Sequence, residues 1–259
     1  MSIRTLRQYI TRKKREGRQI REIFCPRNAG ELLLGCPFQI DDLADANIIL
    51  KEDTFAELGP PGRASCHFIL ISPNPGRLKN GRMTLIGPDI SEAASKTLPF
   101  GQVLVFGGAG LTADHYPELE QCQYIANRLP GYMIRFSPRR MWSRVSHAAA
   151  GKGFSLEIIA RNLMALYKSK FPWIEAMEVM FITSSDEDVT ELSAIARGSK
   201  RKVSRVIQRR DDCSFAWDCD DCPNKPICER IRDMARLSRL ARKRRNGGME
   251  NRAKTVRAQ

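Results

Sequence analysis

The sequence contains no apolar run near the roughly 18 residues that a membrane-spanning helix needs, and no apolar stretch follows its charged start. Neither a spanning helix nor a secretory signal is therefore expected, and a cytoplasmic protein is the natural expectation. Internal repeats and long low-complexity tracts are also missing. A chain of 259 residues can form one well-packed core and a small second module.

Hallmarks of common catalytic and nucleotide-binding sites are scarce. The chain has three histidines (His67, His115 and His147), and no serine, histidine and aspartate arrangement stands out. The Gly-Gly-Ala-Gly run at 107–110 follows an apolar stretch, but its spacing fits neither the dinucleotide fingerprint nor the P-loop. We therefore predict a tight turn at this run and expect the histidines to be ordinary polar or half-buried side chains.

Acidic residues are too few to balance the basic ones. The chain has 43 Lys and Arg against 29 Asp and Glu, which gives a net charge of +14. Residues 1–22 hold eight basic and two acidic groups (+6), residues 197–259 hold 19 and 8 (+11), and the remainder therefore sums to −3. Strongly basic ends commonly bind an acidic partner, nucleic acid or an anionic surface.

Residues 1–37 are predicted to be a basic N-terminal segment. Ile3, Leu6 and Ile10 lie at helical spacing among arginines and lysines, which predicts a short amphipathic helix that is solvated or docked on a partner. Because residues 1–22 and 239–259 carry charge but little core-forming apolar sequence, we expect the chain to remain a folded, near-neutral body when both are removed. Prolines and glycines between 26 and 37 mark the boundary with the main domain.

Residues 38–196 are predicted to form one α+β domain with a mixed sheet and helices. Short apolar and β-branched runs predict strands at 47–51, 67–72, 82–86, 103–106 and 177–183. Helical spacing predicts helices at 119–129 and, after the N-cap Ser155, at 156–170. Residues 184–187 are predicted to cap a final short helix, with acidic side chains in its first turn.

One stretch of the main domain combines cations with an aromatic ring. It contains Arg135, Arg139, Arg140, Trp142 and Arg144. Arginine binds phosphate oxygens bidentately, and an indole offers a face on which an adenine or a guanidinium can stack. The stretch therefore suits an anionic ligand that carries a flat ring, although solvated arginines and a tryptophan in a core or interface are the ordinary alternative.

The order of several short motifs resembles the middle domain of CO-methylating acetyl-CoA synthase, the subunit of the CO dehydrogenase/acetyl-CoA synthase complex that joins a methyl group, CO and coenzyme A. The resemblance covers about residues 38–185 and includes Trp-Ser-Arg-Val-Ser at 142–146 and Gly-Lys-Gly-Phe at 151–154. Further motifs lie at 51–54, 57–59, 64–66, 84–90, 97–101, 116–120, 170–172 and 179–183.

The resemblance implies an α+β domain that binds coenzyme A or acetyl-CoA, with its tryptophan and arginines near the cofactor. Trp142 and Arg144 are carried over from the Trp-x-Arg-Val-Ser motif, and Arg135, Arg139 and Arg140 are further candidates. The implied partners are subunits of a CO dehydrogenase/acetyl-CoA synthase complex, and the basic ends leave another acidic protein open. The implied setting is anaerobic acetyl-CoA metabolism.

Residues 197–259 are predicted to form a small metal module with a basic helix and tail. Its ligands are four cysteines within 16 residues, with no histidine among them: Cys213, Cys219, Cys222 and Cys228. Three aspartates and one lysine between them (Asp218, Asp220, Asp221 and Lys225) make the segment too polar for a core. A [4Fe-4S] cluster is favoured, with all-thiolate zinc as the alternative, because zinc sites usually pair two Cys-x2-Cys knuckles.

The cysteine pattern departs from the family that the middle of the chain resembles. The synthase holds its nickel-iron catalytic cluster in a later domain with a close Cys-Gly-Cys pair, and these 259 residues contain no such pair. We therefore do not expect them to perform full acetyl-CoA synthesis alone. A catalyst in which the C-terminal cluster replaces the nickel site is a further hypothesis, although no residue pattern specifies its reaction.

A non-enzymatic nucleic-acid-binding protein, with basic ends around a cysteine-metal module, is the alternative function. Phe215 and Trp217 are the only aromatic residues near the C-terminal basic runs, so a base-stacking platform is thinly supplied. Basic charge alone can still bind a phosphate backbone.

Overall fold

The computed structural model describes residues 1–208 except 27, 42, 112–114 and 138–139. The chain divides into two compact units, Met1–Ala196 and Arg197–Gln259. All strands of the described part lie in the first unit. Among these residues, no helix is long and apolar enough to cross a bilayer.

The first unit contains a mixed sheet of five strands. They are β1 (Ile20–Phe24), β3 (Ser65–Ser72), β4 (Arg82–Ile86), β6 (Phe100–Gly107) and β9 (Ala176–Ile182), in the order β1-β4-β9-β6-β3. The β4–β9 and β3–β6 pairs are parallel, while the β1–β4 and β6–β9 pairs are antiparallel. β6 and β9 are buried along their whole length, which explains their nearly continuous apolar sequence.

A second sheet has four strands. They are β2 (Thr54–Leu58), β5 (Thr97–Leu98), β7 (Tyr132–Ser137) and β8 (Arg140–Ser146), in the order β5-β2-β8-β7. β5 runs parallel to β2, and the other two pairs are antiparallel. Burial alternates along β8. Met141, Ser143 and Val145 are buried, and the residues between them are more exposed. This sheet therefore has one face in the core and one face outside it.

Six α-helices lie in the described residues. They are α1 (Ile3–Arg15), α2 (Ala29–Leu32), α3 (Tyr116–Cys122), α4 (His147–Ala150), α5 (Leu156–Lys170) and α6 (Asp186–Gln208). 3-10 turns occur at Pro75–Arg77 and Gln123–Arg128. The Ser155 hydroxyl accepts a hydrogen bond from the Ile158 N–H, and the Ser185 hydroxyl accepts one from the Asp188 N–H. Both serines cap their helices as the sequence predicts.

Apolar side chains cover both faces of the five-stranded sheet. On one face, alternate residues of β6 and β9 pack with the four-stranded sheet and α5: Phe100, Leu104, Phe106, Met177, Val179 and Phe181. On the other face, the intervening residues pack with α1 and α6: Val103, Val105, Ala176, Met180 and Ile182. The period of two along each strand thus separates the core into two layers.

The N-terminal segment contributes to this core. Leu6 and Tyr9 of α1 are 3% and 1% exposed, and the Tyr9 hydroxyl donates to the Asp188 carbonyl oxygen at 2.8 Å. β1 pairs with β4 over Ile20–Phe24, which makes it an edge strand of the five-stranded sheet. The sequence analysis did not anticipate these contacts, because α1 has a narrow apolar face and is dominated by basic residues.

A buried ion network joins α1 to α6. Lys13 is 4% exposed and Asp188 is fully buried, and the Lys13 Nζ lies 2.8 Å from the Asp188 Oδ1. The same ammonium contacts Glu16 at 2.7 Å and Glu191 at 2.6 Å, and Arg18 Nε lies 3.0 Å from Asp188 Oδ2. A lysine is therefore buried here because three carboxylates compensate its charge.

The predicted α+β class is confirmed for the described residues, with two mixed sheets instead of one. Strands predicted at 67–72, 82–86, 103–106 and 177–183 correspond to β3, β4, β6 and β9. The strand predicted at 47–51 is wrong, because this segment lies outside both sheets. The final helix was predicted to be short, yet α6 extends over 23 residues. The predicted module at 197–259 lies largely outside the described residues, and only 197–208 belong to α6.

Candidate functional site

Three of the candidate ligand-binding residues, Arg135, Trp142 and Arg144, lie together on the face of the four-stranded sheet that points away from the core. β7 and β8 pair so that Arg135 lies opposite Trp142 and Met133 opposite Arg144, while β2 places Glu57 opposite Arg144. Directly opposed residues share one face of a sheet. We call this set, Glu57, Met133, Arg135, Trp142 and Arg144, the outer face.

Arg144 is held by contacts within the protein. Its Nε donates to the Glu57 Oε1 at 2.8 Å, and its Nη1 donates to the Ile49 carbonyl oxygen at 2.9 Å. The two charged side chains are 17% and 21% exposed, so the ion pair is only partly screened by water. Arg144 thereby links β8, β2 and the segment before β2.

The guanidinium of Arg144 also lies over the indole ring of Trp142, with its Cζ 4.6 Å from the ring centroid. This cation–π contact takes up one face of the ring that was predicted to receive an adenine. The Trp142 Nε1 is buried and has no hydrogen-bond partner among the described residues. The indole is therefore packed on one side by a cation and carries one unused donor.

The other predicted arginines differ in their surroundings. Arg135 is exposed, and its Nη1 donates to the Ile134 carbonyl oxygen at 3.3 Å. Arg140 Nη2 donates to the Pro60 and Arg63 carbonyl oxygens at 3.0 and 2.8 Å, which ties the start of β8 to the turn after β2. Arg139 lies outside the described residues.

The turn that Arg140 contacts requires a glycine. Gly59 has a φ of +65°, and a Cβ atom there would lie 2.6 Å from the Met141 carbonyl oxygen. The Ser65 hydroxyl accepts the Met141 N–H at 2.9 Å and also contacts the Met141 carbonyl oxygen. The backbone after β2 thus passes very close to the start of β8, and a residue with a side chain would not fit at position 59.

The segment that was predicted to be a strand crosses one end of the outer face. The Asn47 side-chain amide donates to the carbonyl oxygens of Asn127, Leu129 and Tyr132 at 2.8, 2.7 and 3.1 Å. The Ile49 N–H points to the Met133 sulfur at 3.4 Å, and the His147 N–H donates to the Asp53 carbonyl oxygen at 2.9 Å. These side-chain hydrogen bonds take the place of a backbone ladder, so the segment pairs with no neighbouring strand among the described residues. Ile48 and Leu50 remain 76% and 53% exposed.

The three histidines behave as ordinary packed or polar residues. The His67 Nε2 lies 2.8 Å from the Gln123 side-chain nitrogen, and burial lowers its pKa to about 4. His115 packs against Trp173, and His147 packs against Phe55. Within the described ranges, no three His, Cys, Asp or Glu side chains form a group that could hold a metal ion.

The four predicted metal ligands, Cys213, Cys219, Cys222 and Cys228, lie outside the described residues. The other four cysteines, Cys25, Cys36, Cys66 and Cys122, are free thiols and all are buried. Burial raises the pKa of Cys25 to about 11 and that of Cys66 to about 12. Cys25 and Cys66 therefore remain protonated near neutral pH and are poor metal ligands.

The partners that hold the outer face could not be predicted from the sequence around Trp142. Glu57 and the Ile49 carbonyl lie 87 and 95 positions away from Arg144, and nothing local to Trp142 indicates them. The one local signal was Glu57, an acidic residue between the apolar residues Ala56 and Leu58 of β2. This alternation indicates that Glu57 faces outward, but it does not indicate which basic residue lies opposite.

The middle of the chain matches a known protein family. A family model described as CO dehydrogenase/acetyl-CoA synthase complex beta subunit matches residues 36–189. The chain is 26% identical over 189 residues to an acetyl-CoA decarbonylase/synthase complex subunit beta 2 of Methanosarcina thermophila, covering 72% of this chain and 40% of that protein.

Two further relatives are named acetyl-CoA decarbonylase/synthase complex subunit beta. The protein from Archaeoglobus fulgidus is 31% identical over 58% of this chain and 29% of its own length. The protein from Methanopyrus kandleri is 28% identical over 76% of this chain and 41% of its own length. The chain therefore spans well under half the length of these relatives, and the matched region includes the whole outer face.

Proposed function

Since the chain belongs to the family of CO dehydrogenase/acetyl-CoA synthase complex beta subunits, we propose that it binds coenzyme A or acetyl-CoA on the outer face. We further propose that its C-terminal cysteines carry an iron–sulfur cluster and that it acts in or beside a complex of this kind in the cytoplasm. The observation that carries the ligand proposal is that the family match contains every residue of the outer face, with its cations and indole side by side.

The contacts of the outer face decide which groups are left for a ligand. The Nε and Nη1 of Arg144 are engaged, and its Nη2 has no hydrogen-bond partner among the described residues. Arg135 lies opposite Trp142 and is exposed. We assign the phosphates of coenzyme A to Arg135 and to this free edge of Arg144, because charge-assisted bonds to phosphate need accessible guanidinium donors. Arg140 serves mainly to hold the turn after β2.

Trp142 takes a supporting role in this proposal. The Arg144 guanidinium occupies one face of its ring, so an adenine stacked on that face would have to displace an ion pair and a cation–π contact. Binding beside the ring would leave these contacts in place and still change the environment of the indole. Its emission should therefore respond to coenzyme A even where no base stacks directly on it.

Calorimetry with three probes tests the ligand. Coenzyme A and adenosine 3′,5′-bisphosphate should bind, pantetheine alone should not, and binding should weaken as salt rises. Arg135→Ala should weaken coenzyme A binding about ten- to a hundredfold, which corresponds to roughly 1.5 to 3 kcal/mol for one charge-assisted contact. Arg15→Ala removes the same charge on α1 and should leave affinity unchanged. If folded protein binds none of the probes, the chain shares only the fold with its family.

The metal proposal rests on the chemistry of the donor set. Four clustered thiolates without histidine suit an iron–sulfur cluster, and the described residues contain no competing group of ligands. Protein prepared without oxygen should contain iron and acid-labile sulfide, and Cys222→Ser should reduce both. Cys36→Ser changes a buried thiol elsewhere and should reduce neither. If the protein contained stoichiometric zinc and no acid-labile sulfide, the site would be an all-thiolate zinc site and not an iron–sulfur cluster.

A further inference from the structure

The exposed side of α1 is strongly basic, and internal contacts account for only some of its cations: Arg7 lies 3.8 Å from Glu178, and Arg12 pairs with Glu191. Arg4, Gln8, Thr11 and Arg15 recur at intervals of three and four, so they lie in one row along the helix, and all four are exposed. Arg7 and Lys14 flank this row and are exposed too. The row from Arg4 to Arg15 is about 16 Å long at the rise of an α-helix.

The carboxylates near α1 are already neutralised by other cations. Glu16, Asp188 and Glu191 pair with Lys13, Arg12 and Arg18. No carboxylate in the described part of the chain pairs with Arg4, Lys14 or Arg15. The acidic residues near α1 therefore help to anchor the helix, and the charges of Arg4, Lys14 and Arg15 are not balanced by a carboxylate in the described residues.

The helix that carries these cations is held rigidly. Leu6 and Tyr9 are buried on its inner side, and Lys13 is fixed by three carboxylates. A cationic surface on a fixed helix binds an extended polyanion without first ordering a flexible segment, which lowers the entropic cost of association. This distinguishes α1 from a solvated basic tail.

The composition of the surface indicates the class of partner. Every exposed residue of α1 is polar, and the apolar residues Ile3 and Ile10 are partly buried against the core. Protein interfaces take most of their binding energy from apolar and aromatic anchors, which this surface lacks. Arginine, lysine, glutamine and threonine are the side chains that contact phosphate and sugar in nucleic acids. No aromatic side chain is exposed here to stack an unpaired base.

We propose that the exposed face of α1 binds the phosphate backbone of double-stranded nucleic acid without sequence preference. The spacing suits this ligand, because a duplex presents about one phosphate per 1.7 Å of its axis, so several phosphates face the roughly 16 Å between Arg4 and Arg15, with Lys14 beside the row. The high net charge of +14 favours association with a polyanion from a distance. This surface is separate from the outer face, so the proposal does not depend on coenzyme A binding.

Salt-dependent binding of a fluorescent 30-base-pair DNA duplex to the full chain tests the proposal. The variant Arg4→Gln/Lys14→Gln/Arg15→Gln keeps helix-compatible side chains and should lower affinity about ten- to a hundredfold near 0.1 M salt. It should also make the slope of log K against log salt shallower by roughly 2 to 3. The control Lys51→Gln/Lys96→Gln/Lys152→Gln removes the same charge from exposed lysines beside the four-stranded sheet.

Three results would overturn the proposal. The α1 variant could bind the duplex with unchanged affinity and slope, which would leave binding to the remaining basic residues. The lysine control could lose as much affinity as the α1 variant, so that net charge alone decides. Finally, the chain could fail to bind the duplex while binding an acidic polyglutamate peptide through α1, which would assign the surface to an acidic protein.

Discussion

On α1, Arg4, Lys14 and Arg15 extend from the protein, whereas on the outer face Arg144 is held by Glu57, the Ile49 carbonyl and the Trp142 ring. In the sequence the two regions look alike, since each clusters basic residues within a short stretch. The structure shows that they differ in what surrounds each guanidinium. Basic residues are available to a ligand only to the extent that carboxylates and carbonyl oxygens elsewhere in the chain do not already engage them.

The outer face and α1 also differ in how each is attached to the core. The outer face belongs to a sheet that is attached to the core by the apolar residues of its inner side. α1 has a narrower apolar side, and its attachment combines Leu6 and Tyr9 with the buried Lys13–Asp188 pair. One charged residue of α1 is therefore structural while its neighbours are exposed.

Removal of residues 1–22 should abolish or strongly lower the cooperative unfolding transition of the first unit. The deletion exposes the surfaces that Leu6 and Tyr9 cover and removes most of an edge strand. Burial of these two side chains alone contributes about 3 to 6 kcal/mol, a large share of the total stability of a typical domain. Thermal and urea unfolding should show this directly. An unchanged transition would mean that α1 and β1 are attachments, as the sequence analysis expected.

Asp188→Ala should destabilise the protein by about 3 kcal/mol or more, because it leaves the Lys13 ammonium and the Arg18 guanidinium without their buried partner. Glu16→Ala is the matched control, since Glu16 contacts the same ammonium from an exposed position and its loss should cost at most about 1 kcal/mol. Urea unfolding of both variants gives the two values. Equal costs would contradict a central role for Asp188.

The described fold could be predicted from sequence wherever one local pattern determined the element. The β-branched run at 103–106, the apolar run at 177–183 and the cap at Ser155 each specify a strand or a helix without knowledge of any distant residue. The segment at 47–51 was predicted wrongly for the same reason. Its apolar residues look like a strand, but Asn47 bonds three carbonyl oxygens that lie 80 to 85 positions away.

The site was less predictable, because its decisive contacts join residues far apart in the chain. Trp142 and the arginines were found by composition and by resemblance, yet their states depend on Glu57, Ile49 and the turn at Pro60. Likewise, the charge pattern of α1 did not reveal that Lys13 is buried, because its partners Asp188 and Glu191 lie in α6. The local sequence identifies the basic residues, and the fold determines which of them are engaged by distant carboxylates and carbonyl oxygens.

Arg144→Ala should cost about 2 kcal/mol of stability, whereas Arg15→Ala should change it by less than about 0.5 kcal/mol. Arg144 loses a partly buried ion pair, a charge-assisted bond to the Ile49 carbonyl and a cation–π contact. Arg15 is exposed, and its replacement by a good helix former is close to neutral. Arg144→Lys should recover part of the loss, because an ammonium keeps the charge without the planar fork. Similar costs for both alanine variants would remove the structural distinction between the two regions.

The smallest and most selective effect should appear in acid. Burial on its own would raise the pKa of Asp188, but hydrogen bonds from Lys13 and Ser184 and the charges of Lys13 and Arg18 hold it below its usual value. Because the folded state binds this proton more weakly than the unfolded state, Asp188 stabilises the fold at pH values above the unfolded pKa near 4. That contribution is lost as the pH falls through the lower folded pKa. The unfolding free energy of the unmodified protein should therefore converge on that of Asp188→Asn below about pH 4, while a constant gap separates them from pH 5 to 8. Arg144→Ala, which leaves the α1 network intact, should run parallel to the unmodified protein through the same acid limb. If Arg144→Ala converged on the unmodified protein just as steeply, or if the gap for Asp188→Asn did not narrow at all below about pH 4, the acid response would not arise in this network.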